Sequence, residues 1–323
     1  MSACRSTLIQ MRTVNYPMSP GNPSTGGIVT PAVLDWVGRV RPGAVVADCA
    51  VLPLAGGNVA RRVGRVTLHL ADGGEPVELV RKDAPGLEIA GLRAAQAVRR
   101  EGGAIPELVA SGDDWLITPM APGSALDWGD AVPANLFDTL AELHARYLGE
   151  AGLPGVIPRV TPAWFHGLCV GWVEPRLREH AARHPAGTMR RARALVGRAA
   201  RLPAVAALLA ELPATLVHGD VHPGNVLAAA GQATLIDWGS SRVGPAALDL
   251  ANLVPAESPS VERYVRTWER VTGERPPAVV IELGYRWAAL QIPVQYLPWV
   301  IEHRSTGDVE AALDRIEQAL HLD

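Results

Sequence analysis

Strand-like and helical hydrophobic patterns occupy different parts of this chain. Apolar residues favour strands over 66–70 and 77–81, and the intervening segment 71–75 contains Asp-Gly-Gly, so this region predicts a β-hairpin. A helical pattern follows over 87–100. Farther along the chain, long helical patterns cover 133–149, 173–201, 259–272, 278–301 and 307–321.

A short strand-like region interrupts these helical patterns. Apolar segments at 216–217, 226–227 and 233–236 surround the sequence His-Gly-Asp-Val-His-Pro-Gly-Asn at 218–225. The pattern predicts a strand, a loop and a β-hairpin, with Asp237 at the end of the last strand.

Three polar residues of this region point to phosphoryl transfer. That reaction depends mainly on positioning and charge neutralisation. Asp220 is placed to accept a hydrogen bond from an acceptor hydroxyl and take its proton late. Asn225 and Asp237 offer the oxygen ligands that suit Mg²⁺. His218 is predicted to brace the loop, whereas for His222 chemistry and simple loop packing are equally open.

Lys82 is the chain's single lysine among 30 basic residues, so it stands where arginine has not been used. A compact ammonium that contacts phosphate oxygens is one reason to keep a lysine. Arg81 is the alternative, because neighbouring strand residues point to opposite faces, and a chance surface lysine is the third possibility. Glu88 opens the helical pattern at 87–100, where a carboxylate can pair with Lys82.

The motifs together resemble those of the aminoglycoside phosphotransferase-like kinases, a small-molecule branch of the protein-kinase fold. They are His-Gly-Asp-x-His at 218–222 with Asn225, and Ile-Asp-x-Gly at 236–239. The resemblance implies that Asp220 is the catalytic base. It also implies that Asn225 and Asp237 bind Mg²⁺ and that ATP is the nucleotide.

The same resemblance assigns the remaining nucleotide contacts. Lys82 is expected on the ATP phosphates, oriented by Glu88. The strand and hinge over 115–123 are expected to receive adenine at Pro119 and Met120. Gly56 and Gly57 would cover the phosphates, although an ordinary turn is as good a reading of that glycine pair. Asp249, in the Asp-Leu-Ala segment, is expected to be structural, as a helix cap.

The implied fold is α+β and bilobal, with a small antiparallel β-sheet N-lobe and a mainly helical C-lobe. The N-terminal nucleotide-binding lobe is expected over 31–118, with five strands and one packed helix, and the catalytic and substrate-binding lobe over 119–323. Residues 1–30, rich in Ser, Pro, Gly and Asn, are expected to form a flexible leader.

Composition limits the expected binding partners and cellular compartment of the protein. A net charge of −3 gives no reason to expect nucleic-acid binding. The sequence has no apolar run that would span a membrane and no secretory signal pattern, so no membrane association is expected. Its three scattered cysteines favour a reducing cytoplasm. A monomer or homodimer is expected.

The acceptor is harder to predict. Residues 245–323 hold 12 acidic and 7 basic residues, a difference of 5, which is weak acidity for a pocket that takes polycations. Eight arginines over 176–201 are expected to form a solvated helix face, although they could line a cleft. Tyr285, Trp287 and Gln291 could form a wall for a sugar or nucleoside, together with Tyr296 and Trp299, but several of these residues have the helical spacing of core positions.

An ATP-dependent small-molecule O-kinase with a role in antibiotic resistance or biosynthesis is therefore favoured. Its acceptor is expected to be a nucleoside- or sugar-type natural product, with classical aminoglycosides as the alternative. A catalytically inactive ligand-binding relative is less consistent with five retained site residues. A transition-metal hydrolase using His218, Asp220 and His222 leaves the Asp-x-Gly segment without a role.

Overall fold

The computed structural model describes residues 28–54, 63–149 and 152–321. They form two compact units. The first comprises the described residues up to Ala84 together with Leu108–Met120, and the second comprises Pro85–Glu107 and the described residues from Ala121 onward. Most of the predicted leader, 1–27, lies outside the described residues. No helix in the three described segments is both long and apolar enough to cross a membrane.

The first unit is an antiparallel sheet with a helix. Within the described residues the sheet has five strands in the order β1-β2-β3-β5-β4. The elements are α1 (Pro31–Val40), β1 (Val46–Pro53), β2 (Val63–Leu70), β3 (Val77–Asp83), β4 (Ala110–Ser111) and β5 (Trp115–Pro119). This sheet confirms the predicted hairpin and the five-stranded N-terminal sheet.

Along the strands of the first unit, buried apolar side chains alternate with more exposed ones, and the buried ones form its core. Val66 and Leu68 of β2 are fully buried, and Leu79 of β3 joins them. They share one core cluster with Trp36, on the apolar face of α1. Thr30 starts that helix by accepting a hydrogen bond from the Val33 backbone N–H, a side-chain cap that satisfies an otherwise unpaired donor.

The second unit is mainly helical. Its helices are α2 (Gly86–Ala95), α3 (Ala134–Arg146), α4 (Pro162–Gly167), α5 (Glu174–Glu179), α6 (Ala186–Ala199), α7 (Ala204–Glu211), α8 (Pro259–Thr272), α9 (Ala278–His303) and α10 (Thr306–Ala319). Side-chain caps define several of these helices. Ser305 and Asp308, for example, form a reciprocal capping box at the start of α10.

Short strands of the second unit carry the candidate site. β6 (Ser124–Ala125), β8 (Val226–Ala229) and β9 (Gln232–Leu235) form one antiparallel sheet, and β7 (Ala214–Val217) pairs with β10 (Arg242–Pro245). The predicted strand, loop and hairpin are therefore present. The structure adds that β7 has its own partner, β10, which follows the hairpin in sequence.

Two helical predictions were wrong in detail. The pattern over 87–100 ends as an α-helix at Ala95 and tightens into a 3-10 turn, Gln96–Val98. The pattern over 173–201 is broken, because His184 is extended before Pro185, a position where proline disfavours helical backbone. A π-helical segment, Leu168–Val173, also links α4 to α5.

The arginine-rich segment forms surface ion pairs. Arg191 of α6 contacts Glu310 at 2.7 Å, Asp314 at 2.6 Å and Glu317 at 2.5 Å on α10. Two further arginines of the segment, Arg178 and Arg193, contact Glu174. The acids that balance this segment thus lie mostly outside 176–201, on neighbouring helices. These contacts agree with the solvated-face interpretation.

Candidate active site

The loop 218–225 begins where β7 ends, and Gly219 makes its first turn possible. Gly219 has a φ of +79°, in the left-handed region that favours glycine. A Cβ at this position would lie 2.4 Å from the Ser240 carbonyl oxygen and 2.8 Å from the Arg242 Nε. Any side chain would therefore push the loop away from the segment that follows Asp237.

Asp249 holds the first two residues of this loop through their backbone N–H groups. Its carboxylate accepts hydrogen bonds from the backbone N–H groups of His218 at 2.7 Å and Gly219 at 2.8 Å. The His144 Nε2 lies 3.2 Å from the same carboxylate, and both side chains are fully buried. These contacts give Asp249 the structural role that was predicted. It ends a 3-10 turn and supports the loop backbone, so it does not act as the predicted helix cap.

Burial and hydrogen bonding act in opposite directions on Asp249. Burial by itself raises the pKa of a carboxyl group, but the His144 hydrogen bond, the electrostatic effects of His144 and His218 and the Gly219 hydrogen bond together outweigh it and hold the pKa of Asp249 below its ordinary value. His144 in turn contacts the Tyr264 hydroxyl through Nδ1 at 3.0 Å. The loop is thus supported by a buried polar chain that runs back to α3 and α8.

His218 braces the loop as predicted. Its Nε2 donates to the Ile236 carbonyl at 2.9 Å, and its Nδ1 accepts from the Asp220 backbone N–H at 3.3 Å. Burial lowers the pKa of His218, against the opposing effects of Asp249 and Asp220, which favours the neutral ring that this pairing requires.

The transition-metal alternative finds no support in this geometry. Both ring nitrogens of His218 are used within the protein, and the His222 Nδ1 accepts a hydrogen bond from the Gly224 backbone N–H at 3.1 Å. Across the described segments, no group of three or more histidine, cysteine, aspartate or glutamate side chains is arranged to hold a metal ion.

Asp220 and Asn225 are held together. The Asn225 Nδ2 donates to the Asp220 backbone carbonyl at 2.9 Å and lies 3.4 Å from the Asp220 Oδ2. The amide oxygen of Asn225 is consequently turned away from Asp220. The second carboxylate oxygen, Oδ1, accepts a hydrogen bond from the Tyr296 hydroxyl on α9.

Asp237 follows β9 after one intervening residue, and its backbone is left-handed, with φ 65° and ψ 65°. This turn redirects the chain into the short helix Trp238–Ser240. A Cβ built on Gly239 would lie 3.5 Å from the Asp237 Oδ1 and 3.6 Å from the buried Glu88 Oε2. Glu88 of α2 and Asp237 therefore present carboxylate oxygens around the same glycine.

A close approach of α2 explains this juxtaposition. A Cβ at Gly91 would lie 2.1 Å from the Ser241 Oγ, so the helix packs where only glycine fits. Glu88, three residues earlier, belongs with α2 to the second unit. Lys82 lies on β3 of the first unit, opposite Val63 and Leu116. The predicted pairing of Lys82 with Glu88 stays a prediction.

Arg81, the alternative to Lys82, has partners inside the first unit. Its guanidinium lies 5.6 Å from the centre of the Trp115 ring and 3.4 Å from Asp83. The predicted adenine-binding residues end the same sheet. Pro119 closes β5, and the Met120 backbone N–H donates to the Glu78 carbonyl at 3.0 Å.

The residues predicted to cover the phosphates, Gly56 and Gly57, lie outside the described residues. The predicted acceptor residues on α9 are mostly internal. Trp287 is fully buried against Phe165, with ring centres 5.0 Å apart, and Gln291 is fully buried as well. Tyr285 donates to the Val254 carbonyl at 3.2 Å. These placements agree with the core interpretation of Trp287 and Gln291.

Sequence reasoning did not identify Arg242 as part of the site. Its guanidinium donates to the Gly219 carbonyl and, at 2.9 Å, to the Gln295 Oε1, and it lies 5.2 Å from the centre of the Trp164 ring. Burial lowers the pKa of Arg242, while Tyr296 and nearby acids oppose the shift. Arg242 is one of 29 arginines, and its sequence context distinguishes it from the others only in that it closely follows the Ile-Asp-x-Gly segment.

A comparison with protein-family profiles identifies a family that matches this sequence. The profile of the phosphotransferase enzyme family, APH, matches residues 61–283, a span that contains the loop 218–225 and Asp237. A search of functionally curated protein sequences gives no significant match.

Solved structures share the fold. A choline kinase from Cryptosporidium parvum has a TM-score of 0.59 at 11% identity, over 89% of this chain and 94% of that chain. A Thermobifida fusca protein assigned as a fructosamine-3-kinase has a TM-score of 0.53 at 22% identity, over 86% and 95%. The gentamicin complex of APH(2″)-IIa has a TM-score of 0.50 at 14% identity, over 90% and 96%. These similarities confirm the predicted α+β, protein-kinase-like fold.

Proposed function

The chain belongs to the phosphotransferase enzyme family, and on that premise we propose that it transfers the γ-phosphate of ATP to a hydroxyl group of a small natural product. The observation that carries the proposal is the loop geometry. The Asn225 amide donates to the Asp220 backbone carbonyl and lies 3.4 Å from the Asp220 carboxylate, and Asp249 holds the loop backbone. Several hydrogen bonds thus fix the position of Asp220, as an arrangement that orients an acceptor requires.

In the proposed reaction Asp220 accepts a hydrogen bond from the acceptor hydroxyl. A new bond forms between that oxygen and the γ-phosphorus, the bond to the ADP oxygen breaks, and the proton passes late to Asp220. Lys82 is the proposed phosphate contact and Glu88 its orienting partner. The adenine is proposed to lie near Pro119 and Met120. Gly56 and Gly57 are proposed to cover the phosphates.

The residues proposed to hold Mg²⁺ fit that ion chemically. Asn225 and Asp237 supply oxygen donors, which hard cations prefer. The Asn225 Nδ2 is committed to Asp220, so its oxygen is the atom left for a metal. When bound, Mg²⁺ neutralises charge on the phosphate oxygens.

A neutral or modestly charged acceptor, such as a nucleoside- or sugar-type natural product, is the proposed substrate class. Tyr296 contacts Asp220, and Trp299 lies one helical turn farther along α9, on the same face. Trp299 is 38% exposed and stacks on His303 and Arg304. An aromatic surface flanked by a guanidinium suits a planar or sugar face better than a polycation.

Parallel assays test the activity and the acceptor. Hydroxylated natural products are screened for ATP consumption, and products are identified by mass and phosphorus NMR. Asp220→Asn should lower kcat by roughly 10²–10⁴-fold and keep nucleotide binding, whereas Asp237→Ala should also lose metal-dependent nucleotide binding. Asp314→Asn, at a 59% exposed carboxylate, is the matched control.

The acceptor arm compares nucleoside and sugar antibiotics with kanamycin-type compounds at two ionic strengths. Efficient, salt-sensitive turnover of the polycations alone would reassign the acceptor to classical aminoglycosides. Near-normal turnover by both Asp220→Asn and Asp237→Ala would refute the assigned site. Nucleotide or ligand binding without phosphate transfer to any acceptor would favour the inactive relative.

A further inference from the structure

The proposed catalytic carboxylate already has a hydroxyl partner. The Tyr296 hydroxyl donates to the Asp220 Oδ1, and the Asn225 Nδ2 lies 3.4 Å from Oδ2. An acceptor alcohol must present the same kind of donor, an O–H group, to the same carboxylate. The tyrosine therefore makes the contact that the proposed mechanism requires from the substrate.

Tyr296 is well held in this position. Its ring lies edge-on to the His222 ring, with centres 6.3 Å apart. Burial and the charge of Asp220 raise the pKa of Tyr296 well above its ordinary value, so the hydroxyl keeps its proton and remains a donor.

The neighbouring helix residue joins α9 to the loop at a second point. The Gln295 Nε2 lies 3.4 Å from the Gly219 carbonyl, and its Oε1 accepts from Arg242, which donates to that carbonyl as well. Gln295 and Tyr296 thus contact consecutive loop residues. With α9 fastened beside Asp220 in this way, the hydroxyl contact does not depend on a lone flexible side chain.

We propose that Tyr296 is a positioning residue that stands in for the acceptor hydroxyl and keeps Asp220 from activating water until an acceptor displaces it. The inference rests on the proposed phosphotransferase function. The suppressed side reaction is ATP hydrolysis, in which a water oxygen bonds to the γ-phosphorus and the bond to the ADP oxygen breaks. The water proton passes to Asp220 and then to the released phosphate.

Tyr296→Phe tests this role, because it removes the hydroxyl and keeps the ring that packs on His222. With ATP and Mg²⁺ but no acceptor, phosphate release should rise on the order of tenfold, since a hydrogen bond to a charged group no longer competes with water. The acceptor KM should fall by a similar factor, because the acceptor no longer displaces the tyrosine. Loss of local structure alone would not raise phosphate release.

Tyr147→Phe is the matched control. It removes one hydroxyl from a buried tyrosine of the same unit whose partner, the Ala94 carbonyl at 2.8 Å, lies away from the loop. This control should behave as wild type. Unchanged phosphate release and acceptor KM in Tyr296→Phe would overturn the inference, and so would a fall in kcat without a gain in phosphate release.

Assays of the wild-type enzyme distinguish a failure of the Tyr296 proposal from a failure of the proposed phosphotransferase function. If it phosphorylates an acceptor and Tyr296→Phe matches it in phosphate release and KM, the stand-in role fails and the phosphotransferase function stands. If wild type transfers phosphate to no acceptor, and Asp220→Asn releases phosphate from ATP at the wild-type rate, the proposed function fails and the inference falls with it.

Discussion

Asparagine at position 249 is the sharpest test of how the loop is held. The Asp249 Oδ1 accepts from the Gly219 N–H, and Oδ2 accepts from the His218 N–H and faces the His144 Nε2 at 3.2 Å. In Asp249→Asn one of these two oxygens becomes an NH₂ group. Whichever orientation the amide adopts, a buried N–H donor then faces another donor.

The expected loss of stability follows from these contacts. One buried donor without a partner costs about 1–3 kcal/mol. The carboxylate is also a charged acceptor, and a hydrogen bond to a charged group contributes about 1.5–3 kcal/mol. Since the two estimates describe overlapping effects, we expect the free energy of unfolding to fall by about 2–4 kcal/mol in total. That is a large part of the ~5–15 kcal/mol that stabilises a typical domain.

Urea denaturation followed by tryptophan fluorescence measures this change. Trp238 is a suitable reporter, because it is buried with its ring centre 4.8 Å from that of His218. Asp314→Asn, the same substitution at an exposed ion pair, should cost at most about 1 kcal/mol. If Asp249→Asn lies within about 1 kcal/mol of Asp314→Asn, the buried carboxylate does not support the loop as described.

Three further predictions concern strand β3, Gly219 and the pKa of Asp249. Lys82→Arg should lower kcat/KM for ATP more than Arg81→Lys does, because a guanidinium fork cannot replace a compact ammonium; steady-state kinetics with the opposite ranking would move the phosphate contact to Arg81. Gly219→Ala should lower kcat at least about tenfold, since left-handed backbone costs about 1–2 kcal/mol and the new Cβ meets the Ser240 carbonyl; rates equal to wild type would show that the loop is tolerant. The pKa of Asp249 is lowered in the folded state, so its contribution to stability is present above the unfolded pKa and is lost as pH falls through the folded pKa. The difference in unfolding free energy between wild type and Asp249→Asn should therefore shrink on acidification, and a constant difference across that range would contradict the assignment.

The elements predicted from sequence are those whose signal is local. The loop 218–225 and its hairpin occupy one continuous stretch, and the polar residues stand where the strand pattern stops. Lys82 was noticed through its rarity, and its strand through the hairpin that carries it. The loop and both hairpins are defined by residues that are neighbours along the chain, so their spacing alone predicts their geometry. The rarity of Lys82 marks the residue without predicting its contacts.

The supports of the loop could not be predicted in this way. Tyr296 is 76 residues from Asp220, and His144 is 105 residues from Asp249. No periodicity relates residues so far apart. Tyr296 was noticed as an aromatic residue of a helix, but its hydroxyl contact depends on how α9 packs. Trp287, on the same helix, belongs to the core because α9 buries residues on several sides, which helical spacing cannot separate.

The left-handed backbone at Asp237 limits how this position can evolve. Glycine reaches that conformation freely, and asparagine and aspartate reach it more easily than other residues with a side chain. The proposed metal role, by contrast, needs a side-chain oxygen, and a carboxylate also supplies negative charge. Aspartate meets both demands best, because glutamate is disfavoured by the backbone, glycine has no side-chain oxygen, and asparagine offers a neutral oxygen in place of a charged one. In a saturation library selected for activity, position 237 should therefore return mainly aspartate, with asparagine at lower frequency, whereas selection for folding alone should also recover glycine.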